Sequence, residues 1–126
     1  MSDVPTLKTE RFTLRPLRRD DAAALLPTLS DPAQCLYLTR PAFTSAAQLW
    51  EWFAAPDWPG RTWIAEDASG DVAGRFIAVP AHAPGVVEIG YITAKHRQGE
   101  GVSRECTRAL IEHLFAEGAR KLIAEV

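Results

Sequence analysis

Apolar and polar positions alternate through Arg11-Phe12-Thr13-Leu14-Arg15-Pro16-Leu17, the period of a half-buried strand. Pro16 has no N–H to donate, so it marks an edge position or the end of pairing. Asp20 and Asp21 precede an alanine–leucine run over residues 22–26, expected as a helix capped by those carboxylates and disturbed by Pro27. Ser30-Asp31-Pro32 reads as a second helix entry, a cap followed by proline at the first helical position. Ser45-Ala46-Ala47-Gln48 is a capping-box pattern and opens a helix running to about Ala54, after which residues 56–60 turn. The rhythm then changes. Residues 62–65 and 72–79 are strand-like, and Asp67-Ala68-Ser69-Gly70-Asp71 between them predicts a hairpin. Residues 80–85 form a loop and residues 86–92 the next strand. A glycine turn leads to a helix over 102–117, stopped by Gly118. Along that helix Val102, Cys106, Leu110 and Leu114 form one ladder with Ile111 and Phe115 beside it, while Arg104, Arg108 and Glu112 lie on the wet side. Residues 121–126 read as a final strand.

A strand, a helix and another strand in succession after residue 86 imply a parallel pair joined by a crossover, within an otherwise hairpin-built sheet. The fold class is therefore α/β, an α+β mixed sheet. The 126 residues suffice for one domain, taken as 1–126. Parallel strands are normally covered on both faces, and residues 122–126 have the composition of an interior strand. The expectation is a domain incomplete at its C-terminus, or a homodimer in which a second copy completes the sheet edge.

Charge and cysteines narrow the partners. A formal net charge of −2 argues against a general nucleic-acid binder, so any anion site must be local. No apolar run approaches the ~18 residues that span a bilayer. The first ten residues are polar and mixed in charge, unlike a secretory leader. Cys35 and Cys106 have no metal-ligand spacing and read as reduced, buried thiols. The expected setting is the cytoplasm, with no metal, no nucleic acid and no membrane.

The candidate chemistry lies where the strand 86–92 leads, through Gly99-Glu100-Gly101, into the long helix. Free amides and aligned peptide dipoles at a helix start bind anions. A dinucleotide fingerprint fits poorly: Arg104 stands at the third glycine position, and six residues separate Ile92 from Gly99. No Gly-Lys-Ser/Thr follows, which excludes the nucleoside-triphosphatase loop. What remains is a short turn whose successive amides, from about Arg97 to Ser103, face a pyrophosphate, with Lys95, Arg97 and Arg104 adding positive charge. The alternative is an ordinary glycine turn with basic residues on its surface. Glu88, on the incoming strand, is the candidate base, and Gly90 shares its face. A structural carboxylate paired with an arginine such as Arg75 is the alternative for Glu88.

The stretch from Glu88-Ile89-Gly90-Tyr91 through Gly99-Glu100-Gly101 to Glu105 resembles the acetyl-CoA motif of the GNAT superfamily of N-acetyltransferases, in its RimJ/RimL-like branch. Thr9-Glu10-Arg11-Phe12-Thr13-Leu14-Arg15-Pro16-Leu17 is similar to that branch's first strand. Ser30-Asp31-Pro32 is similar to its second-helix entry, and Trp63-Ile64-Ala65-Glu66 with Gly70 and Gly74 to its first hairpin. The resemblance implies a GNAT-like acyl-CoA N-acyltransferase fold, here lacking the C-terminal helix and last two strands, which in the family usually carry the general acid. It departs at His96, where the family often has glutamine or arginine. It implies acetyl-CoA as acyl donor, held by Ile89, Gly90, Tyr91 and Ile92 on the strand and by Arg97, Gln98, Gly99, Glu100, Gly101, Val102, Ser103 and Arg104 on the loop. Glu88 would act as base through water, and the acceptor would be a primary amine, on a protein N-terminus or a small molecule. The competing class is a shortened, non-catalytic relative that binds CoA weakly or serves in protein association. Tyr91 alternates away from Glu88 and is expected in the core. His82 and His113 read as structural or solvated. Trp50, Trp52 and Trp58 are expected to pack the helical half, with a role in bordering an acceptor groove left open.

Overall fold

The strand periods assemble into one mixed sheet covered by helices on both faces. The computed structural model describes residues 4–35 and 41–124. Among them the strands are β1 (Leu7–Lys8), β2 (Phe12–Pro16), β3 (Arg61–Asp67), β4 (Val72–Pro80), β5 (Val86–Thr93) and β6 (Lys121–Ala124). They lie in sequence order across the sheet. Every neighbouring pair is antiparallel except β5 with β6, which is parallel and joined by the expected helical crossover. Pro16 closes the β2–β3 pairing opposite Trp63, so it terminates a ladder and does not sit on an edge strand. β1 has only two residues, too short to leave a period in the sequence.

The helices are α1 (Asp20–Leu29), α2 (Ala46–Phe53) and α3 (Val102–Ala116). α1 runs through Pro27, contrary to the expected disturbance. Proline removes one bond to the carbonyl four residues back, here Ala23, and both residues are exposed on the outer face where water can replace it. The expected acidic caps also fall differently. Asp20 and Asp21 lie inside the first turn, while Asp21 accepts the Arg18 amide at 2.6 Å and its N-cap Arg19 caps nothing. Ser30, read as a helix entry, is instead the α1 C-cap. Asp31 accepts the Ala33 amide at 3.0 Å in a turn over 32–35. The rest of that expected second helix falls outside the described residues. α2 opens at its predicted cap: Ser45 Oγ accepts the Gln48 amide at 3.1 Å, while the returning bond of the box shifts by one residue, Gln48 Oε1 accepting the amide of Thr44 at 2.8 Å.

α3 packs on one sheet face. Its ladder Val102, Cys106, Leu110 and Leu114 is buried against Phe12, Leu14, Trp63, Phe76 and Ile89. Phe115, expected beside the ladder, is 49% exposed, one residue and so about 100° round the helix from buried Leu114. The other face carries α1 and α2, whose Leu25, Leu29, Leu49 and Phe53 pack with Phe43 on Ile64 and Val72. A buried ionic cluster ties these layers together. Arg15 on β2 donates to Asp21 of α1 at 2.8 and 2.9 Å and to Glu66 of β3. The bond to Asp21 holds the Arg15 pKa above its ordinary value against the opposing effect of burial.

Candidate functional site

The turn between β5 and α3 is built from one 3₁₀ turn, Lys95–Arg97, followed by two left-handed glycines. Gly99 has φ +82° and Gly101, the α3 N-cap, φ +80°. L-residues with a side chain avoid this region, so glycine is required at both positions. The consequence is a run of outward-facing donors. The Arg97 amide is used locally, bonding Ala94 O at 2.8 Å, and the Glu105 amide bonds Gly101 O at 3.1 Å. Between them, the amides of residues 98–104 have no acceptor among the described residues. No side chain caps α3 either. A methyl group added at Gly99 would meet nothing within 4 Å, so the space above the loop is open. The row of free amides thus begins at Gln98, one residue later than the expected start at Arg97.

The positive side chains are placed differently from expectation. Arg97 turns inward. Its guanidinium donates to Asp71 at 2.7 Å, Asp67 at 2.9 Å and Glu100 at 2.9 Å, clamping the loop to the β3–β4 hairpin. These carboxylates hold the Arg97 pKa well above its ordinary value, Asp71 most of all. His96 bonds the same Asp71 carboxylate at 2.9 Å, and Asp71 is held below the usual carboxylate range, mainly by that bond. Asp67 lies lower still, chiefly through the Ser69 hydroxyl. Lys95 reaches Asp31 at 3.4 Å. Arg104, by contrast, is exposed and has no ion pair among the described residues. Of the three expected cations it is the one whose charge is free.

A second set of bonds positions the start of α3. Glu105, in its first turn, accepts from Thr9 Oγ1 at 2.5 Å, the Arg11 amide at 2.9 Å and Arg11 Nε at 2.7 Å. Burial alone would raise the Glu105 pKa, but these donors outweigh it and leave it lowered. Arg11 Nη2 donates to Glu100 O at 2.9 Å, so one side chain fixes both the loop and the helix. The motif from Thr9 to Arg11 and Glu105 is thus one structural unit.

On β5, Glu88 lies opposite Val79, Gly90 opposite Ile77 and Ile92 opposite Arg75. All three β5 residues face the α1–α2 side. Glu88 is half-buried and makes no side-chain hydrogen bond or ion pair among the described residues. The expected alternative, a pair with Arg75, does not form: the two residues are four positions apart along the ladder. Tyr91 faces the α3 side, as alternation requires, but is not core. It is 59% exposed, stacks on Phe76 at 5.8 Å between ring centroids, and walls a groove of about 570 Å³ with Ser103, Arg104 and Thr107. α3 covers Ile89 and Val87 and leaves the end of β5 open.

Sequence reasoning missed Arg75 as a site residue. It is 8% exposed, its Nη2 donates to Thr62 Oγ1 at 3.1 Å, and its buried Nε has no partner. Burial draws its guanidinium down to about 10. Its charge is still present at neutral pH. Trp52, Phe53 and Trp58 surround it, with ring centroids 5.2, 4.7 and 5.3 Å from its Cζ. The available signal was a lone arginine in a strand, residues 72–80, of otherwise apolar residues. His113 bonds Glu117 at 2.9 Å and His82 is an exposed loop residue, both as expected.

The sheet order, the parallel β5–β6 crossover and the open amide loop before α3 define an acyl-CoA transferase fold. A model of the acetyltransferase (GNAT) domain family matches residues 11–126, and the chain belongs to that family of N-acetyltransferases. The uncharacterized protein YkkB of Bacillus subtilis (strain 168) is 32% identical over 123 residues, covering 88% of this chain and 69% of YkkB. A GNAT-family acetyltransferase of Bacillus anthracis superposes with a TM-score of 0.79 at 17% identity, over 90% of this chain and 68% of that one. Spermidine N-acetyltransferase from Vibrio cholerae, solved with CoA and spermine, gives 0.71 at 22% identity, over 84% and 64%. A GCN5-related N-acetyltransferase from Kribbella flavida gives 0.69 at 28% identity, over 90% and 70%. The chain spans about two-thirds of the length of these relatives.

Proposed function

We propose that residues 1–126 act as a single acetyl-CoA-dependent N-acetyltransferase domain, transferring an acetyl group to a primary amine on a small molecule or a protein N-terminus. The observation that carries this reading is the open run of amides over residues 98–104 at the positive end of α3, beneath a space that a Cβ at Gly99 would enter. Gln98, Gly99, Glu100, Gly101, Val102, Ser103 and Arg104 would hold the pyrophosphate by backbone donors, with Arg104 adding its free charge. Arg97 supports this set from behind through its clamp on Asp67, Asp71 and Glu100. Ile89, Gly90, Tyr91 and Ile92 would line the pantetheine and thioester. The RimJ/RimL-like motifs around Thr9 and Glu88 support placement in that branch, and a cytoplasmic setting and pairing with a second copy accompany the reading. No helix among the described residues is long and apolar enough to cross a membrane.

Glu88 is assigned as general base. An acceptor amine is protonated near neutral pH and must lose a proton before its lone pair can attack the thioester carbonyl. As the C–N bond forms, the C–S bond breaks and the thiolate leaves to take up a proton. Glu88 is half-buried and has no competing partner among the described residues, which leaves it open to accept the amine proton through water. Calorimetric titration with acetyl-CoA, followed by thiol release over an amine panel, tests the assignment. Binding with turnover is expected; no heat and no thiol would overturn it. A second reading, a CoA-binding module without turnover, rests on the chain spanning 69% of YkkB, and binding without thiol release would favour it.

A further inference from the structure

We propose that Arg75 is the anchor for a carboxylate carried by the acceptor, so that the favoured substrate is an amino-carboxylate and not a polyamine. The proposal rests on the acetyltransferase reading above and names the substrate class of that site. A cavity of about 380 Å³ opens on the α1–α2 face of the sheet, lined by Trp52, Trp58, Pro59, Arg75, Ile77 and, at its rim, Asp57. Arg75 is the cation within it. A guanidinium buried to this degree normally meets a carboxylate, because an uncompensated buried charge is destabilising. Among the described residues no carboxylate forms an ion pair with it, Asp57 included, and Nε is left without an acceptor. The three aromatic rings stabilise the cation without using its N–H donors. The guanidinium therefore keeps donors in a planar fork, the geometry that recognises carboxylates.

The box around it is built, not incidental. A Cβ at Gly60 would lie 2.4 Å from the Trp58 ring, so only glycine allows that ring to lie flat on the backbone beside Arg75. The position also suits the chemistry. Arg75 and Ile77 share the face of Glu88 and Gly90, and Ile77 lies opposite Gly90. Arg75 lies four positions along the ladder from Glu88, about 13 Å at the usual rise per residue, with the Ile77 wall of the cavity midway between them. An amine near Glu88 and a carboxylate at Arg75 can thus belong to one molecule in which several methylenes separate the two groups. A polyamine would instead place a second cation against Arg75.

The test compares matched probes: linear ω-amino acids with two to six methylenes and their primary amides, at equal ionic strength. Their dissociation constants are measured by calorimetry with the wild-type chain, Arg75→Met and Arg75→Lys, with acetyl-CoA binding measured on the same samples. The expected result is an acid bound at least tenfold more tightly than its amide for one or more lengths, a ratio near one in Arg75→Met, and partial recovery in Arg75→Lys. Equal binding of acid and amide at every length by the wild type overturns the proposal, as does an unchanged ratio in a folded Arg75→Met. Should Arg75→Met not fold, wild-type tryptophan fluorescence decides: Trp52 and Trp58 respond to acids and not amides if Arg75 is the anchor, and equally to both if it is not. Acid preference without acetyl-CoA binding would uphold Arg75 and remove the transferase reading; acetyl-CoA binding without acid preference would do the reverse.

Discussion

Gly99 and Gly101 do two things at once: their left-handed backbone turns the amides outward, and their missing side chains leave the approach clear. Gly101→Val should therefore weaken acetyl-CoA binding at least tenfold by calorimetry, and cost about 1–2 kcal/mol of stability from the disfavoured φ. Unchanged affinity would remove the cradle. Glu88→Gln should behave oppositely. Removing a general base lowers turnover by about 10²–10⁴-fold while leaving acetyl-CoA affinity as it was, and equal loss of both would refute the base role. Cys106 is a bystander. Burial pushes its thiol up to about 12, and Cys35 is buried as well. Neither should react with an aromatic disulfide reagent in the native state at pH 8, and both should react in denaturant. Fast reaction of the native protein would contradict their burial.

Among the elements, β2, α1 and β3 are joined through Arg15, Asp21 and Glu66. Breaking such a buried cluster from one side leaves the opposite charge uncompensated, which costs about 3–5 kcal/mol. Asp21→Asn should lower denaturant stability by an amount of that order, measured from the unfolding midpoint at constant slope. A loss under 1 kcal/mol would show that the pair is not as dry as its burial indicates. The start of α3 depends on a different contact, the Glu105 carboxylate with Thr9 and Arg11. That contact links residues far apart in the chain, which explains why the turn between β1 and β2 bears on the loop before α3.

For the molecule as a whole, acid is the weak side. Asp71 and Glu105, with Glu117 bonded to Arg61, have folded-state pKa values below their ordinary ones. Depressed carboxylates contribute stability above their unfolded pKa, roughly 4, and that contribution is lost as pH falls further. The melting temperature should hold between neutrality and about pH 5 and fall steeply below it. Asp71→Asn should make the acid limb shallower, because it removes one group whose protonation drives the loss. An identical limb in the variant would show that the clamp of Arg97 and His96 on Asp71 does not contribute.

Local periods and glycine spacing were enough to locate the sheet, the α2 capping box, the α3 ladder and the loop before it, because each depends on residues a few positions apart. Family motifs of the same short range pointed to the acyl donor. Burial and partnership were different. Tyr91 has the alternation of a core residue yet is exposed, since the β6 pairing among the described residues ends at Ile89 and leaves Tyr91 on the wall of a groove beside α3. Arg97 reads as a phosphate-binding cation yet spends its charge on Asp67 and Asp71, thirty and twenty-six positions away. Arg75, a partner for Glu88 only in the alternative reading of that carboxylate, sits among Trp52, Phe53 and Trp58. Which charges remain free is a property of long-range packing: a side chain's partner is selected by what the folded sheet brings beside it, and no period along the chain encodes that neighbour.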